Sequence, residues 1–263
     1  MIKHLGTALI TGASSGIGAI YADRLSRRGY DLILVARSEA PLNALAKRLT
    51  DATGRSIEVV VADLGSPAGL SRVEEILRTD ASITMLVNNA GMGAIQPLLE
   101  SDIDTLDDLL ALNVQALTRL TYAAIPGLVA RGGGTLINIA SIVAIAPEVL
   151  NGVYGASKAY VYAFSQSLRS ELKELGVQVQ VVLPGATATD FWATSGKPVE
   201  QLPGEIVMSA DDMVDAALVG LDLGEFATLP ALPDIADLDA YEAARQKLLP
   251  QLSLRVPAPR YRA

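Results

Sequence analysis

The sequence predicts an α/β fold in which one parallel β-sheet is covered by helices on both faces, giving three layers. Short aliphatic segments alternate with longer amphipathic segments from residue 7 to residue 183. This alternation is typical of doubly wound parallel sheets. The short segments are hydrophobic almost throughout, as expected for strands that helices bury on both faces.

Six strands and five helices are predicted to follow one another in the first part of the chain. The strands are rich in aliphatic and β-branched residues and are predicted at 7–11, 31–36, 57–62, 85–88, 135–140 and 177–183. The helices have apolar residues at helical spacing and are predicted at 16–28, 41–53, 68–78, 104–128 and 155–175. Right-handed crossovers between parallel strands then place helices on both faces of the sheet.

The last part of the chain is less regular. An irregular segment with a short helical part is predicted at 184–205, and a helix at 210–223 with Ser209 as its N-cap. A seventh strand is expected at 226–230, and a further helix at 239–249. We interpret residues 1–263 as a single domain, with a substrate lid around 186–209 and a C-terminal extension around 230–263.

The composition excludes several classes of function. A net charge of −8 argues against nucleic-acid binding, which needs a basic surface. No run of about 18 apolar residues is present, so no membrane span is expected. The chain has no cysteine and one histidine, His4, which argues against a disulfide, a metal site and a thiolate or histidine nucleophile. No signal peptide is expected, and the protein is predicted to be cytoplasmic.

A glycine-rich loop, Thr11-Gly-Ala-Ser-Ser-Gly-Ile-Gly18, follows the first strand and opens the first helix. Gly12 allows a tight turn, Gly16 lets the backbone approach a pyrophosphate, and Gly18 lets the helix pack closely on the sheet. Free N–H groups at the start of a helix attract phosphate. The alternative is a simple strand–helix turn. We predict a Rossmann-like dinucleotide site, which also includes Ser14, Ser15 and Ile17.

The residues after the second and third strands bear on the choice of cofactor. Proteins that bind NAD place Asp or Glu at the end of the second strand to hold the ribose 2′-OH, but here Ala36 is followed by Arg37. A guanidinium binds phosphate bidentately, so Arg37 favours the 2′-phosphate of NADP; a solvated surface arginine is the alternative. Asp63, followed by Leu64, is expected either to accept a hydrogen bond from adenine or to cap a turn.

Four polar residues predict the chemistry. Tyr154 and Lys158 are four apart near the start of a predicted helix and therefore share one face. A free phenol has a pKa of about 10, and a nearby ammonium lowers it toward the range in which an acid/base catalyst works. Ser141 closes the fifth strand and is expected to orient the substrate oxygen. Asn113 is polar within an apolar stretch and needs a partner, and a water chain from Lys158 to solvent is one such use.

With these segments the sequence resembles the single-domain branch of the short-chain dehydrogenase/reductase family. The matching segments are TGASSGIG at 11–18, NNAG at 88–91, Asn113, Ser141, YGASK at 154–158 and PGATAT at 184–189. The resemblance implies an NADP(H)-dependent oxidoreductase that interconverts a carbonyl compound and an alcohol. Tyr154 would exchange the proton, Lys158 would bind the nicotinamide ribose, and Ser141 would hold the substrate oxygen. Asn113 would support a proton-relay water.

The resemblance also implies further contacts and an assembly. A homodimer or homotetramer would be built on the fourth and fifth predicted helices. The implied cofactor contacts beyond the glycine loop, Arg37 and the catalytic pair are Asp63, Leu64, Asn89, Ala90, Gly91, Pro184, Gly185, Thr187 and Thr189.

The substrate side is expected to be apolar, with the small-molecule pocket lined by Ile142, Val143, Leu150, Phe191 and Trp192. Phe191 and Trp192 lie in the segment predicted to close as a lid, although simple packing against the body is the alternative. We predict a moderately apolar ketone or secondary alcohol as substrate. Two other functions remain open: a non-catalytic NADP-binding regulatory protein, and an isomerase, epimerase or dehydratase of the same fold.

Overall fold

The computed structural model of the chain describes residues 5–262, so His4 lies outside the described residues. The chain forms two compact units, the first ending at Pro230 and the second beginning at Ala231. This boundary falls where the C-terminal extension is predicted to begin. Every residue predicted for the site belongs to the first unit.

The first unit is built on a parallel sheet. The strands in residues 5–262 are β1 (Thr7–Thr11), β2 (Asp31–Ala36), β3 (Ile57–Val61), β4 (Ile83–Asn88), β5 (Gly134–Ile139), β6 (Val177–Val182), β7 (Thr187–Ala188), β8 (Met208–Ser209) and β9 (Ala227–Thr228). Seven of them form one sheet in the order β3-β2-β1-β4-β5-β6-β9, with every neighbouring pair parallel. The predicted doubly wound sheet is confirmed, and its strand order reverses between β1 and β4, where such sheets bind ligands.

Helices cover both faces of this sheet. The α-helices in residues 5–262 are α1 (Gly16–Arg28), α2 (Glu39–Thr53), α3 (Pro67–Thr79), α4 (Ile103–Leu110), α5 (Leu117–Ala130), α6 (Gly152–Leu172), α7 (Phe191–Thr194), α8 (Ala210–Asp222) and α9 (Ile235–Leu248). One buried cluster joins the sheet to α1, α2 and α8, and the other joins it to α3, α5 and α6. In β1, Ala8 and Ile10 belong to the first cluster and Leu9 to the second. Both faces are therefore apolar, which explains the continuous hydrophobic strands.

The helix predicted at 104–128 is interrupted in the structure. α4 ends at Leu110, six residues from Ala111 to Ala116 form π-helical turns, and α5 begins at Leu117. π-Helical turns insert an extra residue per turn and occur often at functional sites. Asn113 lies within this π-helical segment, so its predicted place in a regular helix is wrong.

Other predicted boundaries differ by a few residues because local capping decides where a helix begins. α6 starts at Gly152 rather than residue 155, since the Asn151 side chain accepts hydrogen bonds from the N–H groups of Val153 and Tyr154. α8 starts at Ala210 as expected, and the predicted N-cap is confirmed, since Ser209 accepts a hydrogen bond from the N–H of Asp212 at 3.0 Å.

The segment after β6 leaves the main sheet and returns to it. β7 and β8 pair with each other in a separate two-stranded sheet, and the N–H of Met208 donates to the carbonyl oxygen of Ala186 at 2.9 Å. α7 lies between them. The segment predicted to be irregular is thus a loop whose two ends, β7 and β8, are paired.

Among the helices of residues 5–262, none combines the length and the hydrophobicity that crossing a membrane requires.

Candidate active site

The glycine-rich loop joins β1 to α1 at the carboxyl edge of the sheet. Gly12 has a φ of +66° and Gly16 a φ of +51°, a region that favours glycine. A Cβ at Gly12 would lie 2.8 Å from Nδ2 of Asn89. A Cβ at Gly18 would collide with the carbonyl of Gly12, so this glycine allows α1 to start directly against the turn. The three glycines therefore stand where the dinucleotide interpretation needs them.

Asn88 and Asn89 connect the end of β4 to its surroundings. Asn89 Nδ2 donates to the carbonyl oxygen of Thr11 at 2.9 Å and to that of Gly12 at 3.2 Å. Asn88 Nδ2 donates to Oγ1 of Thr121 and to Oδ1 of Asn138, both at 3.0 Å. These hydrogen bonds connect the glycine loop to β4, and β4 to β5 and α5. The strand ends at this edge of the sheet are therefore held in fixed positions.

Two residues predicted to contact the cofactor, Arg37 and Asp63, follow the neighbouring strands β2 and β3. Arg37 is exposed immediately after β2, where its guanidinium is accessible to a phosphate. Asp63 is exposed after β3, and its Oδ1 accepts a hydrogen bond from the N–H of Gly65 at 3.0 Å. The turn-capping role of Asp63 is thus realised, while its contact with adenine stays a prediction. Leu64 is buried.

Tyr154, Lys158 and Ser141 meet beyond the end of β5. Tyr154 is 5% exposed and Lys158 is 7% exposed. The ammonium nitrogen of Lys158 is 5.9 Å from the centroid of the Tyr154 ring and donates to the carbonyl oxygen of Ile139 at 3.0 Å. The Ser141 hydroxyl donates to the carbonyl oxygen of Pro184 at 3.4 Å, accepts from the N–H of Val143 at 3.3 Å, and lies close enough to the Tyr154 phenol to lower its pKa. The serine and tyrosine hydroxyls are thus neighbours.

Burial dominates the titration of the two ionisable groups. It raises the pKa of Tyr154 to about 12, against a smaller opposite effect of the Ser141 hydrogen bond. It lowers the pKa of Lys158 to about 8, because the buried ammonium is poorly solvated. The predicted lowering of the Tyr154 pKa by Lys158 is therefore wrong in this structure. Desolvation of the phenol is the largest effect on this pKa.

Asn113 faces the same site from the π-helical segment. Its Oδ1 accepts from the N–H of Met92, and its Nδ2 donates to the carbonyl oxygen of Met92, both at 2.8 Å. Nδ2 is also 3.2 Å from Oγ of Ser157, to which it donates. The hydrogen-bond partners of Asn113 are thus the backbone of Met92 and the side chain of Ser157 in α6. The water chain stays a prediction. A Cβ at Gly91 would be 3.2 Å from Oδ1 of Asn113 and 3.6 Å from Nζ of Lys158.

The segment after β6 faces the glycine loop. A Cβ at Gly16 would lie 3.1 Å from Cγ2 of Thr189, so the two segments approach each other closely. The space around Gly185 is open, with nothing within 4 Å of a Cβ built there. Pro184 accepts from the N–H of Ile142 at 3.0 Å, and Thr187 is buried.

The apolar residues predicted to line a substrate pocket divide into two groups. Ile142 is exposed, while Leu150 and Phe191 are half-buried and pack with Val143 against Tyr154. Trp192 is only 8% exposed, and its indole N–H donates to the carbonyl oxygen of Thr187 at 3.0 Å. Its position favours the alternative interpretation for Trp192, namely that it packs the segment against the body.

Two residues near the site were not singled out in the sequence. Asn151 caps α6 and also donates to the carbonyl oxygen of Gln96 at 2.7 Å and to Oγ of Ser101 at 3.0 Å, which ties the loop after β4 to the helix of Tyr154. The Asn before a helix start was an available signal for this cap. Gly93 contacts Phe191 directly, and no local pattern indicates a contact between residues so far apart in the sequence.

Within residues 5–262, no three His, Asp or Glu side chains come together closely enough to hold a metal ion.

Comparison with known proteins agrees with this geometry. Residues 6–200 match the family model of the short chain dehydrogenases. The chain is 35% identical over 187 residues to the very-long-chain 3-oxoacyl-CoA reductase of Anas platyrhynchos, a match that covers 69% of this chain and 60% of the duck protein. That curated relative is thus considerably longer than the matched region.

Two solved structures are similar over nearly the whole chain. A short-chain dehydrogenase from Sphingobium yanoikuyae in complex with NADPH is 48% identical with a TM-score of 0.95, covering 98% of this chain and 100% of that one. The bulky-bulky ketone specific alcohol dehydrogenase from Comamonas testosteroni is 41% identical with a TM-score of 0.91, covering 99% and 100%. The glycine loop, the Ser141–Tyr154–Lys158 arrangement and these matches lead to one conclusion: the chain belongs to the short-chain dehydrogenase family.

Proposed function

We propose that the protein is an NADP(H)-dependent oxidoreductase that interconverts a moderately apolar ketone and the corresponding secondary alcohol. The observation that carries the proposal is that Ser141, Tyr154 and Lys158 are neighbours at the sheet edge that also holds the glycine loop. Two neighbouring hydroxyls are suited to bind and protonate a carbonyl oxygen.

The residues at this edge fit a dinucleotide. The start of α1 offers N–H groups to a pyrophosphate, and the glycine at position 16 lets the segment of Thr189 approach the glycine loop closely. The exposed Arg37 would hold the 2′-phosphate, which favours NADP(H) over NAD(H). The NADPH complex of the Sphingobium protein supports the same cofactor. When bound, the nicotinamide supplies or accepts the hydride.

The chain's own groups handle the proton and the oxygen. With its pKa raised to about 12, Tyr154 is protonated at neutral pH and is poised to donate its phenolic proton to the substrate oxygen during reduction. The Ser141 hydroxyl holds that oxygen in place. Lys158, with a pKa lowered to about 8, favours the phenolate that remains and helps to return a proton to it. Asn113 positions the backbone of Met92 beside the pair and would support a relay water.

An apolar substrate follows from the walls of the site. Leu150, Phe191 and Val143 pack around Tyr154, and Ile142 is exposed beside them. Such walls suit hydrocarbon substituents on either side of a carbonyl. The substrates for which the duck and Comamonas relatives are named, an oxoacyl thioester and bulky ketones, support this class.

We also propose that the protein forms a homodimer or homotetramer through α5 and α6. Their outer face carries three stacked aromatic rings: Phe164 stacks with Tyr122 at 6.3 Å and with Tyr160 at 5.7 Å between centroids. Tyr122 is 68% exposed, and an exposed aromatic cluster of this kind is typical of a subunit interface. A cytoplasmic location is part of the proposal, since a chain without cysteine makes no demand on an oxidising compartment.

The test is an absorbance assay with purified protein, a panel of ketones, and NADPH and NADH side by side. We expect NADPH oxidation with apolar ketones, and Tyr154→Phe is expected to lower kcat by about 100-fold or more because the proton donor is removed. NADPH binding without turnover would favour a non-catalytic regulatory protein. Product formation without net oxidation of NADPH would favour an isomerase, epimerase or dehydratase. Full turnover by Tyr154→Phe would refute the mechanism.

A further inference from the structure

Gly93 and the ring of Phe191 touch, although they come from different loops. A Cβ built on Gly93 would lie 2.6 Å from Cε2 of Phe191, and nearer still to Cζ of Phe191 and to Oγ of Ser195. Real Cβ atoms do not approach other atoms so closely. The backbone at Gly93 is not in the left-handed region, so the contact itself, rather than a turn, requires glycine at this position.

The Phe191 ring also packs against the ring of Tyr154. The ring centroids of Phe191 and Tyr154 are 5.8 Å apart at an angle of 45°, and both rings belong to one apolar cluster. The backbone of Phe191 is held in place, because its carbonyl oxygen accepts from Oγ of Ser195 at 2.7 Å. Trp192 packs edge-on against Phe191 at 5.7 Å. The position of the ring therefore depends on whether Gly93 leaves room for it.

We propose that Phe191 sets the size limit for the substrate substituent that passes beside Tyr154, and that Gly93 determines this limit by admitting the Phe191 ring. The inference rests on the proposed function. A carbonyl oxygen must come within hydrogen-bonding distance of the Tyr154 hydroxyl, and one of its substituents then lies against the ring that packs on that tyrosine. Gly93 is a positioning residue, and Phe191 is a specificity-determining one.

A kinetic cycle of variants tests this inference. The measured quantity is the ratio of kcat/KM for butyl phenyl ketone to that for methyl phenyl ketone with NADPH. We expect Phe191→Ala to raise this ratio by about tenfold or more, as the removal of a steric limit does in other hydrophobic pockets. Gly93→Ala should change the ratio by about threefold or more. In a Phe191→Ala/Ser195→Ala background the same substitution should change it by less than about twofold, because the side-chain atoms that a Cβ at position 93 would meet are gone.

A second readout needs no substrate. Trp192 is the only tryptophan of the chain and contacts the Phe191 ring, so its fluorescence reports on this packing. We expect Gly93→Ala to shift the Trp192 emission or its quenching by acrylamide, and to cause no further shift in the Phe191→Ala/Ser195→Ala background. Gly152→Ala is the matched control, since nothing lies within 4 Å of a Cβ at Gly152. This control should leave both readouts at the wild-type values.

The outcomes separate the two proposals. If the wild type reduces ketones but Gly93→Ala acts equally with and without the Phe191 ring, the inference is overturned and the proposed function stands. If the wild type reduces no ketone, the proposed function and the size limit both fall, while the fluorescence cycle still decides whether Gly93 positions the ring. An unchanged Trp192 signal in a folded Gly93→Ala protein would overturn the positioning role.

Discussion

Replacing Lys158 with methionine should stabilise the protein while it impairs the proposed chemistry. Burial lowers the pKa of Lys158 from its ordinary value of 10.5 to about 8, which means that the folded state bears the cost of a poorly solvated ammonium. Since one pKa unit corresponds to about 1.4 kcal/mol, this cost is about 3 kcal/mol at neutral pH. Loss of the hydrogen bond to Ile139 offsets about 1 kcal/mol of the gain.

The net expectation is that Lys158→Met increases the free energy of unfolding by about 1–2 kcal/mol at pH 7, or raises Tm by several degrees. Below pH 8 the lysine is protonated in both the folded and the unfolded state, so the advantage of the variant is constant there. Between about pH 8 and 10.5 the folded wild type releases the proton before the unfolded chain does, so wild-type stability rises with pH. The advantage of Lys158→Met should therefore shrink across this range.

Thermal unfolding of the cofactor-free proteins by circular dichroism at pH 7 and pH 10 measures both expectations. Lys47→Met is a suitable control, because Lys47 is exposed and pairs with Asp51 four residues on, and it should leave the stability nearly unchanged at either pH. A Lys158→Met protein that is less stable than the wild type at pH 7 would refute the reasoning. So would an advantage that grows from pH 7 to pH 10.

Three further predictions concern the cofactor, the ion pairs and the assembly. Arg37→Ala should raise the KM for NADPH by about 10- to 100-fold, since a charge-assisted bond contributes about 1.5–3 kcal/mol, and should leave the KM for NADH nearly unchanged in steady-state assays. Glu74 is buried, and hydrogen bonds, chiefly from Arg119, hold the pKa of its carboxyl below the ordinary range. The carboxylate therefore stabilises the folded state above about pH 4.5, and this stabilisation is lost as the pH falls through the lowered pKa. Glu74→Gln should lower the free energy of unfolding in urea by about 1–3 kcal/mol at pH 7 and by progressively less toward pH 3. Tyr122→Lys should reduce the molar mass measured by light scattering if the aromatic face of α5 and α6 joins subunits, and an unchanged mass would exclude that face.

The sequence predicted the sheet well because its signals are local. The six strands from β1 to β6 read as short apolar segments, and the spacing of Tyr154 and Lys158 placed both on one turn of one helix. The glycine loop was equally recognisable, because its three glycines follow a fixed spacing between a strand and a helix. These features depend on neighbours along the chain, and the chain itself shows them.

The features that the sequence did not predict depend on contacts between distant segments. The apolar spacing of 104–128 continues through the π-helical turns at Asn113, so only the backbone geometry shows the interruption. The direction of the Tyr154 pKa follows from how deeply the ring is buried, which spacing does not give. The inward position of Trp192 depends on the carbonyl of Thr187, and the contact of Gly93 with Phe191 crosses between two loops.

Because β7 and β8 pair with each other, the segment between them, residues 189–207, can be exchanged as a unit. The chain leaves the main sheet after β6 and is joined again at Met208 before α8 begins. Because the ends of the segment are already held together, a change in its length alters the closure entropy only slowly. Its content can therefore vary in evolution or by grafting while the Ser141–Tyr154–Lys158 geometry stays anchored in β5 and α6. A new insert between the two paired strands would replace Phe191, which packs on Tyr154, without a change in β5 or α6.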